Sequence, residues 1–154
     1  EVVPTPGKDY TVIIDYSHTP DSLENILRAV RGFCTGRIIA VFGCGGDRDP
    51  FKRPVMGKIA AELSDLAIVT SDNPRTEDPY KILRQILAGM QDTETPYEVI
   101  ESRVSAIGRA MELAQKDDVI VLCGKGHETY QEIGHEKHHL DEREVVASYL
   151  EANA

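Results

Sequence analysis

The sequence predicts an α/β fold, a mostly parallel sheet flanked by helices, in a single domain. Three observations lead there. Short apolar runs alternate with helical patterns along the whole chain, the signature of βαβ units. No linker or internal repeat divides the 154 residues, a length that suits one domain with a substantial core. Polar stretches rich in glycine, proline and charge follow the apolar runs, while the connections leading into the runs are bland.

"YTVIID" (residues 10–15) reads as a buried strand. "PDSLENILRAVRGF" follows, with Leu23, Ile26, Leu27 and Val30 at helical spacing. "RIIAVFG" (37–43) is the second strand, and Met56, Ile59, Ala60 and Leu63 mark the second helix. "LAIVT" (66–70) is the third strand. Leu83, Ile86, Leu87 and Met90 mark a third helix, with Asp78 as its cap and Pro79 at its first position. "YEVIE" (97–101) is a fourth strand, and Val104, Ile107 and Met111 mark a fourth helix. "DVIVLCG" (118–124) is a fifth strand. "YQEIGHEKHHLD" reads as a small C-terminal hairpin turning at Gly134, and a last helix starts at Asp141. The whole describes a Rossmann-like sheet of about six strands.

Composition narrows the function. The net charge of −9 argues against nucleic acid as a partner, because phosphate binding calls for a basic face. The apolar runs fall far short of the roughly 20 residues that span a bilayer. "EVVPTPGKDY" has neither a signal-peptide pattern nor an initiator Met, so the chain reads as a domain of a longer protein. Cys34, Cys44 and Cys123 form no CxxC and no paired framework, which suits a reducing compartment. Cys44 and Cys123 adjoin buried strands and read as core.

In parallel sheets, ligands bind beyond the carboxyl ends of the strands. Five loops are selected by that rule: "DYSHTPD", "GCGGDRDPFKRP", "SDNPRTED", "ESR" and "GKGHETY". In "SDNPRTED", Asp72 and Asn73 can accept from an ammonium group, and Arg75 can hold a carboxylate through two parallel hydrogen bonds. Together those chemistries describe an α-amino-acid head. The competing reading is an Asx-Pro turn that starts the next helix, which assigns no role to Arg75. "GCGGDRDPFKRP" offers glycines, Arg48, Lys52 and Arg53, yet matches neither phosphate-cradle motif. It also reads as a flexible turn before a solvated basic helix start. Glu128 of "GKGHETY" could complement an ammonium. His127 there reads as a satisfied loop histidine, with acid, base or ligand roles also open. Asp15 and His18 sit at the mouth of the first strand, where Asp15 could accept from ribose hydroxyls or cap the following helix. His135, His138 and His139 do not form a metal site, since neighbouring strand residues face opposite ways.

Taken in order, "DYSHTPDSL", "FGCGGDRD" with "KRP" and "MG" behind it, "SDNPRTEDP" and "GKGHETYQ" resemble the C-terminal domain of the Mur ligases of peptidoglycan synthesis. The resemblance runs from Glu1 to the last helix. Within the family, "DNPR" resembles the recognition motif of the ligases that add meso-diaminopimelate as the third residue of the stem peptide. Lysine-adding relatives carry another tetrapeptide without the arginine.

The resemblance implies a Mur ligase C-terminal domain over residues 1–154, with the UDP-binding N-terminal domain and the ATP-handling central domain lying outside this chain. It implies diaminopimelate binding by Arg48, Asp72, Asn73, Pro74, Arg75, Gly124 and Glu128. Asp15 and, beside it, His18 fall on the nucleotide side. ATP and magnesium are the implied cofactors, with magnesium held mainly by the central domain. The implied partners are meso-diaminopimelate, UDP-MurNAc-L-Ala-D-Glu and the protein's own other domains, in the cytoplasm. No catalytic residue is implied here, because the attacking amine belongs to the substrate. Two rival readings stand beside this one. A lysine-adding or folylpolyglutamate-type ligase domain is opposed by Arg75. A non-catalytic amino-acid-binding module shares the fold, and fold alone does not separate it.

Overall fold

A computed structural model describes residues 1–154. The expected alternation is observed: β1 (Val2–Val3), β2 (Thr11–Asp15), α1 (Pro20–Arg31), β3 (Ile38–Phe42), α2 (Lys52–Leu63), β4 (Leu66–Val69), α3 (Pro79–Leu87), β5 (Tyr97–Val99), α4 (Arg103–Leu113), β6 (Val119–Cys123), β7 (Tyr130–Ile133), β8 (Glu136–His139) and α5 (Glu142–Ala152). The six-stranded sheet has the order β1-β2-β6-β3-β4-β5. Five strands run parallel. The added strand is β1, antiparallel to β2 through Val2↔Ile13 and Val3↔Val12. Two residues are too few to show a period, so β1 carries no pattern of its own.

β3, β4 and β6 are buried along their whole length because both faces of the sheet are covered. Helices α1, α2 and α3 pack on one face around Phe42, Val69 and Val121. Helices α4 and α5 pack on the other around Val41, Ile68 and Leu122. No helix is long and apolar enough to cross a membrane.

Local chemistry sets the helix starts. Thr19 caps α1 in a reciprocal box with Ser22, and Pro20 occupies the first turn. Asp15 is therefore not the cap of α1. Asp78 caps α3 by accepting from the Tyr80 N–H, as expected. The third helical pattern is shorter than its spacing suggests: α3 ends at Leu87, and Met90 is buried from a 3₁₀ turn over Ala88–Met90.

One expected core position is displaced. Val104 is 51% exposed, and the buried face of α4 begins instead at Arg103. A charged residue holds that place because Glu142 at the start of α5 pairs with it at 2.7 Å, both side chains being fully buried. The hairpin turns at Gly134 as expected. Its outer strand β8 is exposed throughout, with His138 beside Glu136 and His139 beside Glu144.

A candidate amino-acid cleft at the carboxyl ends of the strands

The loops after β2, β3, β4 and β6 meet in one cleft of about 340 Å³. Strand order explains the meeting. Strand β6 lies between β2 and β3, so loops far apart in sequence become neighbours at that edge. Tyr16, His18, Gly45, Arg48, Arg53, Asp72, Asn73, Arg75, Gly124 and Glu128 are among the lining residues. Two expected site residues are not. Pro74 is buried behind the wall, and Asp15 is half-buried at the end of β2. The "ESR" loop also does not reach the cleft: Glu101 accepts from the Ser71 hydroxyl at 3.1 Å, and Arg103 turns into the core.

The wall after β3 is pinned by buried polar contacts. Arg53 is buried, and its guanidinium reaches Glu77 at 2.7 Å, Gln85 at 2.6 Å and the Gly45 carbonyl at 2.9 Å. Glu77 also accepts from the Asp47 N–H at 2.7 Å. The Arg53 guanidinium holds the Glu77 carboxyl down at about 2, well below the usual carboxylate range. The basic helix start is thus internal structure, except for Arg48 and Lys52, which stay exposed. Gly46 is required by this packing. A Cβ there would stand 1.8 Å from the Pro74 carbonyl oxygen, so only glycine lets the two loops touch.

The "DNPR" wall is held from three sides. Asn73 and Asp72 are buried, and both face Lys125, which has no exposed surface. The Lys125 ammonium donates to Asn73 Oδ1 at 2.8 Å, and it lies 3.4 Å from Asp72 and 3.5 Å from Glu128. The expectation that Asp72 and Asn73 stand open to a ligand ammonium is modified here, because the protein supplies that cation itself. Asn73 Oδ1 accepts a second bond from the Glu132 N–H. Arg75 sits at φ 52°, with Nε on Glu132 Oε2 at 2.7 Å and Nη1 on the Gly46 carbonyl at 2.9 Å.

Gly124, at φ 117°, turns β6 into the cleft, and a Cβ there would press toward the Asp72 carboxylate at 3.4 Å. Glu128 is half-buried on the same wall. Its charge raises the phenol pKa of neighbouring Tyr16. Tyr16 is 47% exposed, and its ring lies 4.7 Å from that of His18 and 5.6 Å from that of His127. Burial pushes the Cys44 thiol up to about 12, so the one cysteine lining the cleft stays protonated and is no nucleophile.

Sequence reasoning missed Lys125, Tyr16 and the hairpin residues Gln131 and Glu132 as builders of this site. Lys125 was visible inside "GKGHETY". The hairpin residues carried no signal, since their role depends on where the hairpin folds back.

A glutamate ligase domain model of the Mur ligases matches residues 1–126. A UDP-N-acetylmuramoyl-L-alanyl-D-glutamate–2,6-diaminopimelate ligase of Trichormus variabilis is 64% identical over 145 residues, which are 94% of this chain and 29% of that protein. A protein of the same name from Clostridioides difficile is 54% identical over 150 residues, 97% of this chain and 31% of that protein. A solved structure described by that same name superposes with a TM-score of 0.94 at 39% identity, covering 99% of this chain and 31% of the other. A folylpolyglutamate synthase/dihydrofolate synthase from Yersinia pestis aligns with a TM-score of 0.60 at 17% identity, covering 98% of this chain and 30% of that one. That last likeness is one of fold alone. The chain spans about three tenths of the length of the curated relatives it matches.

Proposed function

We propose a function from one premise: the chain belongs to the Mur ligase family, through its glutamate ligase domain. The reading is that it is the amino-acid-binding domain of an ATP-dependent ligase that joins meso-diaminopimelate to UDP-MurNAc-L-Ala-D-Glu. The observation that carries it is the opening of Arg48, Arg75 and Glu128 into one cleft. Two guanidinium groups and one carboxylate match the far amino-acid head of diaminopimelate, which carries a carboxylate and an ammonium. Lys125 bonds Asn73 and is shared between the Asp72 and Glu128 carboxylates. Glu128 is the more exposed of the two, so it is the one assigned to the ligand ammonium, and the ligand carboxylate is assigned to Arg75 and Arg48. Lysine has the ammonium without the second carboxylate, and would leave Arg48 and the Nη2 edge of Arg75, which bonds neither Glu132 nor Gly46, without that partner. Sites built around a polar partner reject analogues lacking it by about 10⁴-fold or more.

In this reading the domain positions and does not activate. Gripping the far head aims the near amine at an activated carboxyl of the second substrate, and orientation of that kind lowers the barrier. ATP supplies the phosphoryl group that makes the carboxyl reactive. The rim of the cleft fits a nucleoside: the Tyr16 and His18 rings form an exposed aromatic ledge next to Asp15, suited to a base and ribose hydroxyls. The phosphates and magnesium are assigned to the parent protein outside this chain.

The test is the selectivity of the full-length parent. Arg75→Ala should raise the KM for diaminopimelate, with a loss of about 2–5 kcal/mol in kcat/KM. Lysine should gain relative to diaminopimelate. An unchanged ratio of kcat/KM between the two amino acids would show that Arg75 does not read the far carboxylate.

A further inference from the structure

We propose that Glu132, on the β7 strand of the hairpin, is a positioning residue that sets the selectivity of the cleft by fixing the Arg75 guanidinium from behind. The inference rests on the function proposed above, and it adds a residue to that site which touches no ligand.

The hairpin is joined to the "DNPR" loop at four points besides the ion pair. The Arg75 N–H donates to the Glu132 carbonyl at 3.0 Å, and the Gly134 N–H donates to the Arg75 carbonyl at 2.7 Å. The Glu132 N–H donates to Asn73 Oδ1 at 2.9 Å, and Gln131 Nε2 donates to the Asp72 carbonyl at 2.7 Å. Arg75 thereby forms an isolated bridge with Ile133. A residue with a side chain persists at φ 52° only where its surroundings over-determine it, and these bonds do so.

Backbone anchoring does not by itself aim a guanidinium. Four rotatable bonds separate it from the backbone, and arginine is among the side chains with the most rotamer freedom to lose. The aim comes from two acceptors. Glu132 Oε2 takes Nε, and the Gly46 carbonyl takes one N–H of Nη1. Nη2 takes part in neither bond. Glu132 itself lies outside the amino-acid cleft. It lines a separate cavity on the other side of Arg75, together with Asp47, Thr76 and Lys137. The carboxylate therefore draws Arg75 without blocking the cleft. Part of each side chain remains exposed, 20% for Arg75 and 27% for Glu132, so the pair contributes more to aim than to stability.

The experiment uses the full-length parent ligase, with kcat and KM measured for diaminopimelate and for lysine, and with thermal unfolding followed in parallel. Glu132→Ala should raise the KM for diaminopimelate about tenfold or more, as loss of a supporting group around a binding residue does. It should change kcat much less, and narrow the preference over lysine. Glu132→Gln should recover most of the loss, because its amide oxygen can still accept from Nε. Both variants should unfold near the wild-type temperature, since the backbone bonds to the loop remain. A preference unchanged in Glu132→Ala, or a parallel fall in kcat for both amino acids with a large drop in unfolding temperature, would overturn the inference. Arg75→Ala separates the two levels. If it collapses the preference and Glu132→Ala does not, only the role of Glu132 fails. If the wild type does not prefer diaminopimelate, the proposed function fails and this inference falls with it.

Discussion

Lys125 has no exposed surface, yet it stands beside a polar cleft. A lysine is buried at such a place only with its charge answered, and Asn73, Asp72 and Glu128 answer it. Its ammonium ties the loop after β6 to the loop after β4, so one side chain joins two walls of the site. Lys125→Met keeps the length and removes the charge. Asp72, itself buried, then loses its cation. The expected outcome in urea denaturation is a loss of about 3–5 kcal/mol, the range for breaking one side of a buried pair. A variant within about 0.5 kcal/mol of wild type, the size of an ordinary surface substitution, would show that water reaches Asp72 freely. At this scale the sequence was readable in kind: "GKGHETY" was singled out, while the partner of its lysine was not.

At the scale of elements, two buried arginines act as struts beneath the loops. Arg103 on α4 donates to the Ser71 carbonyl at 3.1 Å and to the Cys123 carbonyl at 2.9 Å, while Glu142 holds its Nε. Those carbonyls precede Asp72 and Gly124, so the fourth and fifth helices reach the site through one side chain. Arg103→Leu should destabilise the domain by about 3–5 kcal/mol, because Glu142 is left charged and unpaired. Adding Glu142→Leu should return only part of that, since the two carbonyls stay unmatched. Full recovery in the double variant, measured by equilibrium denaturation, would mean that the carbonyl bonds contribute nothing.

Arg53 does the same for the loop after β3, and here pH reports on it. Glu77 titrates at about 2 in the folded protein against an ordinary value of 4.5. A lowered folded value means that its contribution is fully present above about pH 4.5 and is lost as pH falls from there toward 2. Glu77→Gln should therefore flatten the stability profile within that window. An acid limb identical in variant and wild type would sink this assignment.

For the whole molecule, the sheet is sealed by apolar clusters on both faces, and the cleft lies on one edge of it. The isolated chain should fold with a mixed α/β circular dichroism spectrum. It should nonetheless release no phosphate from ATP in the presence of diaminopimelate and the nucleotide dipeptide. Gly43 and Gly46 of the loop after β3 pack against the backbone of Thr70 and Pro74, and the chain carries neither phosphate-cradle motif. Turnover above background by this chain alone would refute the division of labour proposed here.

The alternation of strands and helices, the edge on which the cleft opens, and the identity of most residues at that edge were all legible in the chain alone. These follow from local rules: apolar runs must be buried, Asp78 and Pro79 start a helix wherever they stand, and loops after parallel strands share one side. The sequence did not reveal which polar groups would face the cleft and which would face each other. Arg53, Arg75 and Arg103 all read as cations, yet one braces a loop, one lines the cleft and one supports the core. Only the strand order, with β6 set between β2 and β3, and the folding back of the hairpin decided that. Those choices place residues more than fifty positions apart within hydrogen-bond reach, as in Arg75 with Glu132 and Lys125 with Asn73. Pairings at that distance leave no periodic trace in the chain, because they depend on the sum of all the packing between them.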